Sequence, residues 1–219
     1  MKKLLTLTFL LGILFQASAQ LTSVKALKDL KKDDNCYDAV KNLIEKYNAL
    51  GTVEIRQANK YLADGPLTHR DFAIVLVQSL DNLRERFDKL ATKKNLSTRD
   101  SLFEKFTKKY YKGYSDSAVK DLEGYAQYKD VNNDDPDYAA IKKLTNFYHL
   151  KLGDTYNTFA PDKPLTEKEL SKIFGDYFGM RSLVPRASNT TTTRGKWAMS
   201  LDALLERLYD AAADLATSN

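Results

Sequence analysis

The sequence predicts an all-α fold made of repeated helix-loop-helix units packed as a helical bundle. Three observations support this. One-sided apolar stripes at helical spacing run through "CYDAVKNLIEKY" (36–47) and "DYAAIKKLTNFY" (137–148). An offset of 101 residues lays the first stripe on the second, with Tyr37 on Tyr138, Leu43 on Leu144 and Tyr47 on Tyr148. A threonine-led helix start is written three times, as "LTHRDFAIVL", "LTEKELSKIF" and, more loosely, "TRGKWAMSL". Helical periodicity identifies the elements, and self-similarity at a fixed spacing identifies a repeat.

The first 19 residues have the grammar of a signal peptide. Lys2 and Lys3 form a positive start, Leu4 to Phe15 an apolar run, and Ala17-Ser18-Ala19 a small-residue cleavage site. The run is too short to span a bilayer comfortably, and no second candidate follows. The mature chain is therefore expected to start at Gln20 and to be exported to the periplasm or cell envelope. Cys36 stands alone, so no internal disulfide forms and it reads as a small buried thiol. About 200 mature residues suffice for a sizeable core. The formal charge of +5 includes the two signal lysines. What remains is too weak a bias to argue for nucleic acid or an anionic membrane.

Residues 20–94 form the first unit. Val40, Leu43, Ile44 and Tyr47 stripe a helix predicted at 36–50, with polar residues between them. A second helix is predicted at 67–90, with Thr68 as N-cap and Asp71 at its third position. Residues 95–127 read as a helical connector of two short helices, capped near Thr98 and Ser115. Its lysines, Lys105, Lys108, Lys109 and Lys112, interleave with Tyr110, Tyr111 and Tyr114. That pattern reads as a solvated face, with an acidic glycan as the alternative partner. Residues 128–181 form the second unit, with helices predicted at 136–150 and 166–179. Thr166 and Glu169 there compose a capping box. Residues 182–219 hold a polar linker, "PRASNTTTTRG", and a last helix predicted at 195–215.

No Ser-His-Asp arrangement, Cys-His pairing or glycine-rich phosphate loop is visible, so the chain reads as non-catalytic and without cofactor. His69, beside a cap, reads as a solvated surface group. His149 reads as a cation at a helix C-terminus. Two scattered histidines and one cysteine do not compose a metal site. "DVNNDDPD" (130–137) lacks the glycine and distal glutamate of a helix-loop-helix calcium motif and reads as a capping and turn segment. Trp197 heads a stripe with Leu201, Leu204, Leu205 and Leu208, which argues for the core, with glycan stacking as the alternative.

Residues 128–178 resemble an S-layer homology (SLH) motif. That pattern runs Phe-x-Asp-Val, an acidic stretch, Ala-x-x-x-Ile-x-x-Leu, Gly, Phe-x-Pro and Leu-Thr-Arg-Ala-Glu. Tyr128, Asp130, Val131, Tyr138, Ile141, Leu144, Gly153, Phe159, Pro161, Leu165, Thr166 and Glu169 fit it. Residues 27–90 fit more loosely, and 193–208 show half of a third copy. The resemblance implies a bacterial envelope protein whose three motifs pack as a pseudo-trimer. It implies grooves that bind acidic or pyruvylated polysaccharide linked to peptidoglycan. The glycan-binding set it implies is Arg70, Asp71, Asp130, Lys168, Glu169, Arg194 and Trp197.

The family's arginine position departs from the pattern. Only Thr193-Arg194 keeps the Thr-Arg order, and Lys196 then replaces the acid. His69 and Glu167 take the arginine's place in the other two copies, with Arg70 and Lys168 one step later. The expected partner is peptidoglycan-linked cell-wall polysaccharide. The lost arginines leave an envelope protein as the alternative. No nucleic acid is expected, and the chain is not expected to be an integral membrane protein.

Overall fold

The computed structural model describes residues 21–50, 59–93, 128–152, 157–184 and 188–217. The signal peptide and the 95–127 connector lie outside the described residues. Five α-helices stand among the described residues. They are α1 (Tyr37–Lys41, continued by a π-helical turn Asn42–Lys46), α2 (His69–Lys93), α3 (Tyr138–Asn146), α4 (Glu167–Lys172, continued by a π-helical turn Ile173–Tyr177) and α5 (Arg194–Thr217). Short 3-10 turns stand at Val24–Ala26 and Arg181–Leu183. The described residues are helical and contain no sheet. Their only extended pairings are three isolated bridges, Pro66 with Thr193, Thr68 with Pro164, and Thr166 with Thr191. No helix among them is long and apolar enough to cross a membrane.

The apolar stripes turn inward as their spacing requires. Val40, Leu43, Ile141, Leu144, Leu170 and Phe174 are all fully buried. Side chains of this size contribute about 1.5–3 kcal/mol each when removed from water. α3 packs on α2, α1 packs on α5, and α2 also packs on α5. At the centre the Trp197 ring lies 4.8 Å from Phe72 and 6.0 Å from Phe174. Helices from both ends of the chain therefore share one core.

α1, α3 and α4 end in the same way. Ala49 N–H donates to Leu43 C=O, Leu150 N–H to Leu144 C=O, and Met180 N–H to Phe174 C=O. The residue before each donor is left-handed: Asn48 at φ 54°, His149 at 53° and Gly179 at 68°. Each bond spans one residue more than the long bond of a Schellman motif, but here too a left-handed residue turns the chain and an orphan carbonyl is satisfied.

Two expectations need correction here. From Ser188 onward, the polar 185–195 segment is not a linker without structure of its own; residues 185–187 lie outside the described residues. Thr191 and Thr193 make isolated bridges, Thr192 is fully buried, and the backbone of Ser188, Thr190 and Thr192 is hydrogen-bonded to the two other threonine-led segments. His149 is not a simple cation at a helix end, because burial lowers its pKa and disfavours the charged form.

Candidate functional site: a ring of three helix starts

The three threonine-led segments meet in a closed ring. Leu67 N–H donates to Thr192 C=O at 3.1 Å, Thr192 N–H to Leu165 C=O at 2.9 Å, and Leu165 N–H to Leu67 C=O at 2.7 Å. One step outward a second ring closes with the donor–acceptor sense reversed. His69 N–H donates to Lys163 C=O at 3.0 Å, Glu167 N–H to Thr190 C=O at 2.9 Å, and Arg194 N–H to Gly65 C=O at 3.0 Å. A further step repeats it again, with Arg70 to Pro161, Lys168 to Ser188 and Gly195 to Ala63.

The next backbone N–H in each helix is capped. Asp71, Glu169 and Lys196 donate to the hydroxyls of Thr68, Thr166 and Thr193 at 3.1, 3.2 and 3.3 Å. A helix start normally leaves its first N–H groups without partners. Here the first three of α2, α4 and α5 are all engaged. The donors that could have held an anion at these starts are used to close the ring.

Side chains close the same three seams. Arg194 Nη2 pairs with Asp71 Oδ2 at 3.0 Å, and both side chains are almost buried, 13 and 7 % exposed. Lys196 Nζ pairs with Glu167 Oε1 at 2.7 Å, and Ser188 Oγ donates to Glu167 Oε2 at 2.6 Å. Lys196 and Ser188 together hold the Glu167 pKa below its ordinary value. His69 Nε2 lies 3.8 Å from Glu169 Oε1. In each seam one side chain follows its threonine directly, and the other sits three residues after a different threonine. The Glu167–Lys196 seam carries its charges in the opposite order from Arg194–Asp71. Both partners have changed sign together, so the attraction survives.

Each sequence-predicted site residue now has a place. Glu169 completes the capping box, taking Thr166 N–H on Oε2 at 2.8 Å. Burial pushes its pKa up, but the Thr166 hydrogen bonds, Lys163 and His69 outweigh this and leave it lowered. Arg70 is held by the turn segment that precedes α3. Its Nη1 donates to both Asp135 oxygens at 2.8 and 2.9 Å and to Asp137 at 3.0 Å. Burial works against its charge, yet Asp137 and Asp135 raise its pKa. Asp130 accepts from Phe159 N–H at 2.9 Å and Ala160 N–H at 2.6 Å, which ties the aromatic loop to the start of its unit. Lys168 is exposed on α4.

Three expectations change. Trp197 is only 1 % exposed and packs in the core, so it offers no ring face to a sugar. Arg194 is the cation of a nearly buried pair and does not stand ready for an incoming carboxylate. His69 is fully buried rather than solvated, and its Nδ1 lies 2.8 Å from Phe159 C=O, which requires that nitrogen to carry the proton. It is buried because the position after the threonine faces the neighbouring segment, not solvent.

Asp29 is a structural counterpart of Asp130 that sequence reasoning missed. It accepts from Tyr61 and Leu62 N–H, both at 2.8 Å, as Asp130 does from Phe159 and Ala160. The signal was available: the same offset that overlays the helices lays Asp29 on Asp130.

Beside the ring, a groove of about 480 Å³ opens between the 149–152 turn and α4. Leu150, Leu152, Ile173 and Tyr177 line it with apolar surface, and Lys151, Lys172, Glu169 and Asp176 bring charge to it. No family model matches the chain, and neither the curated proteins nor the solved structures contain a match to it.

Proposed function

We propose that the protein is an exported, non-catalytic cell-envelope binding module built from SLH-like repeats. On this reading it attaches to anionic polysaccharide linked to peptidoglycan. The observation that carries the reading is the closed ring, in which three threonine-led helix starts form a three-membered cycle of backbone hydrogen bonds at each of three successive steps, the innermost running in the opposite sense to the outer two. That cyclic order is what three copies of one motif would produce about a pseudo-threefold axis. The paired roles of Asp29 and Asp130 support the same reading.

The third copy fits this scheme without a first helix of its own. α4 starts as a second helix, with a threonine capping box, and ends with the stop that α1 and α3 share. One helix would thus serve as the end of the second unit and the beginning of the third.

One observation favours a second reading, in which the surface binds an envelope protein. Two of the cations implied for a glycan, Arg70 and Arg194, are already neutralised by Asp135, Asp137 and Asp71. A sacculus pull-down separates the two readings. Retention on purified sacculi, with release by the extracted polymer, supports glycan attachment. Failure to bind sacculi that still carry their polymer rejects it in favour of the protein partner.

A further inference from the structure

The two units pack their first helices on a neighbour in the same way, but only one of the two seams is chemically complete. Where α3 packs on α2, Lys143 Nζ pairs with Asp81 Oδ2 at 2.7 Å, and the Tyr148 hydroxyl donates to Asp81 Oδ1. α1 packs on α5. The offset of 101 lays Asn42 on Lys143, Asp38 on Ala139 and Tyr47 on Tyr148. Thirteen residues after their capping threonines stand Asp81 in α2 and Glu206 in α5, and nine residues after stand Val77 and Asp202. The α1–α5 seam has lost the lysine and gained two carboxylates, Asp38 and Asp202.

Its polar groups are left incomplete. Asn42 Nδ2 donates to Asp202 Oδ2 at 3.1 Å, but Asp202 Oδ1 is buried without a hydrogen-bond partner among the described residues. The Tyr47 hydroxyl, on a side chain 1 % exposed, is also buried and unpartnered there, and it faces Asp202 and Glu206. Buried polar atoms are normally satisfied, so two orphans facing one another call for an explanation. Lys46 Nζ stands over the Tyr47 ring, 4.8 Å from its centroid, and makes no hydrogen bond to the hydroxyl. The charged groups that face Asp202 are Lys46, Glu206 and Asp38. Burial, then Glu206 and Asp38, raise the Asp202 pKa against the opposing pull of Asn42 and Lys46.

We propose that the α1–α5 seam is a docking site for a lysine side chain of a protein partner. The incoming ammonium takes the place that Lys143 fills in the second unit. Its three donors match Asp202 Oδ1, the Tyr47 hydroxyl oxygen and the carboxylate of Glu206, one turn further along α5. The exposed Lys46 side chain moves off the Tyr47 ring to admit it. The excess of acids selects a cation, and Met199 selects a protein to carry it. Met199 is 40 % exposed and stands three residues before Asp202, so a flexible apolar side chain lies beside the carboxylate. This surface goes beyond the polysaccharide reading and does not depend on it.

The test is an amide NMR titration of the mature chain with Nα-acetyl-lysinamide, using Nα-acetyl-norleucinamide as the control without charge. Lysinamide should shift the signals of Asn42, Tyr47, Met199 and Asp202 in a saturable manner and leave those of Asp81 and Lys143 in place. Norleucinamide should bind at least tenfold more weakly. Asp202→Asn should weaken lysinamide binding at least tenfold without lowering the melting temperature. Asn42→Lys supplies the missing ammonium from within, and should raise the melting temperature while weakening binding at least tenfold. Lys46→Ala removes the cover and the competing charge, and should tighten binding. The proposal is overturned by the absence of a saturable response, by equal affinity for the two amides, or by full binding in Asp202→Asn or Asn42→Lys. Unchanged or weaker binding in Lys46→Ala overturns it too. Methylammonium binding as tightly as lysinamide would reduce the site to one for any ammonium and reject the protein partner. A dimer in gel filtration that Asp202→Asn dissociates would make the occupant a second copy, with the same consequence. Sacculus retention should be equal in Asp202→Asn and the unaltered chain, and a loss there would assign the seam to the polysaccharide instead.

Discussion

At the scale of single residues, the ring combines well-matched and mismatched chemistry. Leu67 and Leu165 are fully buried at two of its corners, and Thr192 takes the third. The Thr192 hydroxyl is buried without a hydrogen-bond partner among the described residues. A buried polar group in that condition costs about 1–3 kcal/mol. Thr192→Val keeps the shape and removes the group. It should therefore raise stability by about 1 kcal/mol in urea titration, and an unchanged or lower midpoint would mean the hydroxyl is satisfied. Glu169 illustrates the opposite case. Its folded pKa is lowered from 4.5, so its contribution is complete above that value and is lost as pH falls through the lower folded value. Glu167 has the same sign. Acidification below about pH 4.5 should thus reduce the melting temperature, and Glu169→Gln should flatten that decline. Thr166→Ala should cost about 1 kcal/mol at neutral pH, the usual worth of such a cap.

At the scale of elements, the helices were legible in the sequence because each is strongly one-sided and several are capped by threonine. Their seams were not. The stripe of α1 shows which face is buried, but nothing in "CYDAVKNLIEKY" says that the face meets α5, more than a hundred residues away. The pairing of Arg194 was hidden for the same reason. Arg194 looked like a free cation because Asp71, its partner, is remote in sequence. The pairing of Glu167 with Lys196 could have been suspected, since both depart in sign from the same motif. That seam makes a clean test of the ring. Lys196→Glu sets two carboxylates against each other across it and should destabilise the fold by about 1–2 kcal/mol, moderated by the exposure of Lys196. Adding Glu167→Lys restores the attraction in the order used by Arg194 and Asp71. The double variant should recover most of the loss in a thermal melt. Additive losses would show that the seam does not couple these residues.

At the scale of the whole molecule, the ring makes the fold non-local. Each corner comes from a different part of the chain, and each accepts from one neighbour and donates to another. Removing one corner leaves both others with unpaired backbone groups. It also exposes the faces of α1 and α2 that pack on α5. A chain of independent helix pairs would lose only its last element on truncation, and the remainder would melt nearly as before. A closed ring behaves differently. Without residues 188–219, Leu67 N–H loses its acceptor at Thr192, Leu165 C=O loses its donor, and Asp71 loses Arg194. Leaving one member of a buried ion pair without its partner costs about 3–5 kcal/mol. That is a large share of the roughly 5–15 kcal/mol that stabilises an ordinary domain. The mature chain should therefore unfold in one cooperative transition by circular dichroism. The chain ending at residue 187 should show no cooperative transition and should bind a hydrophobic dye at room temperature. A sharp melt in the shortened chain would mean that the first two units fold as an independent pair, and that the ring is a contact between finished parts rather than the device that assembles them.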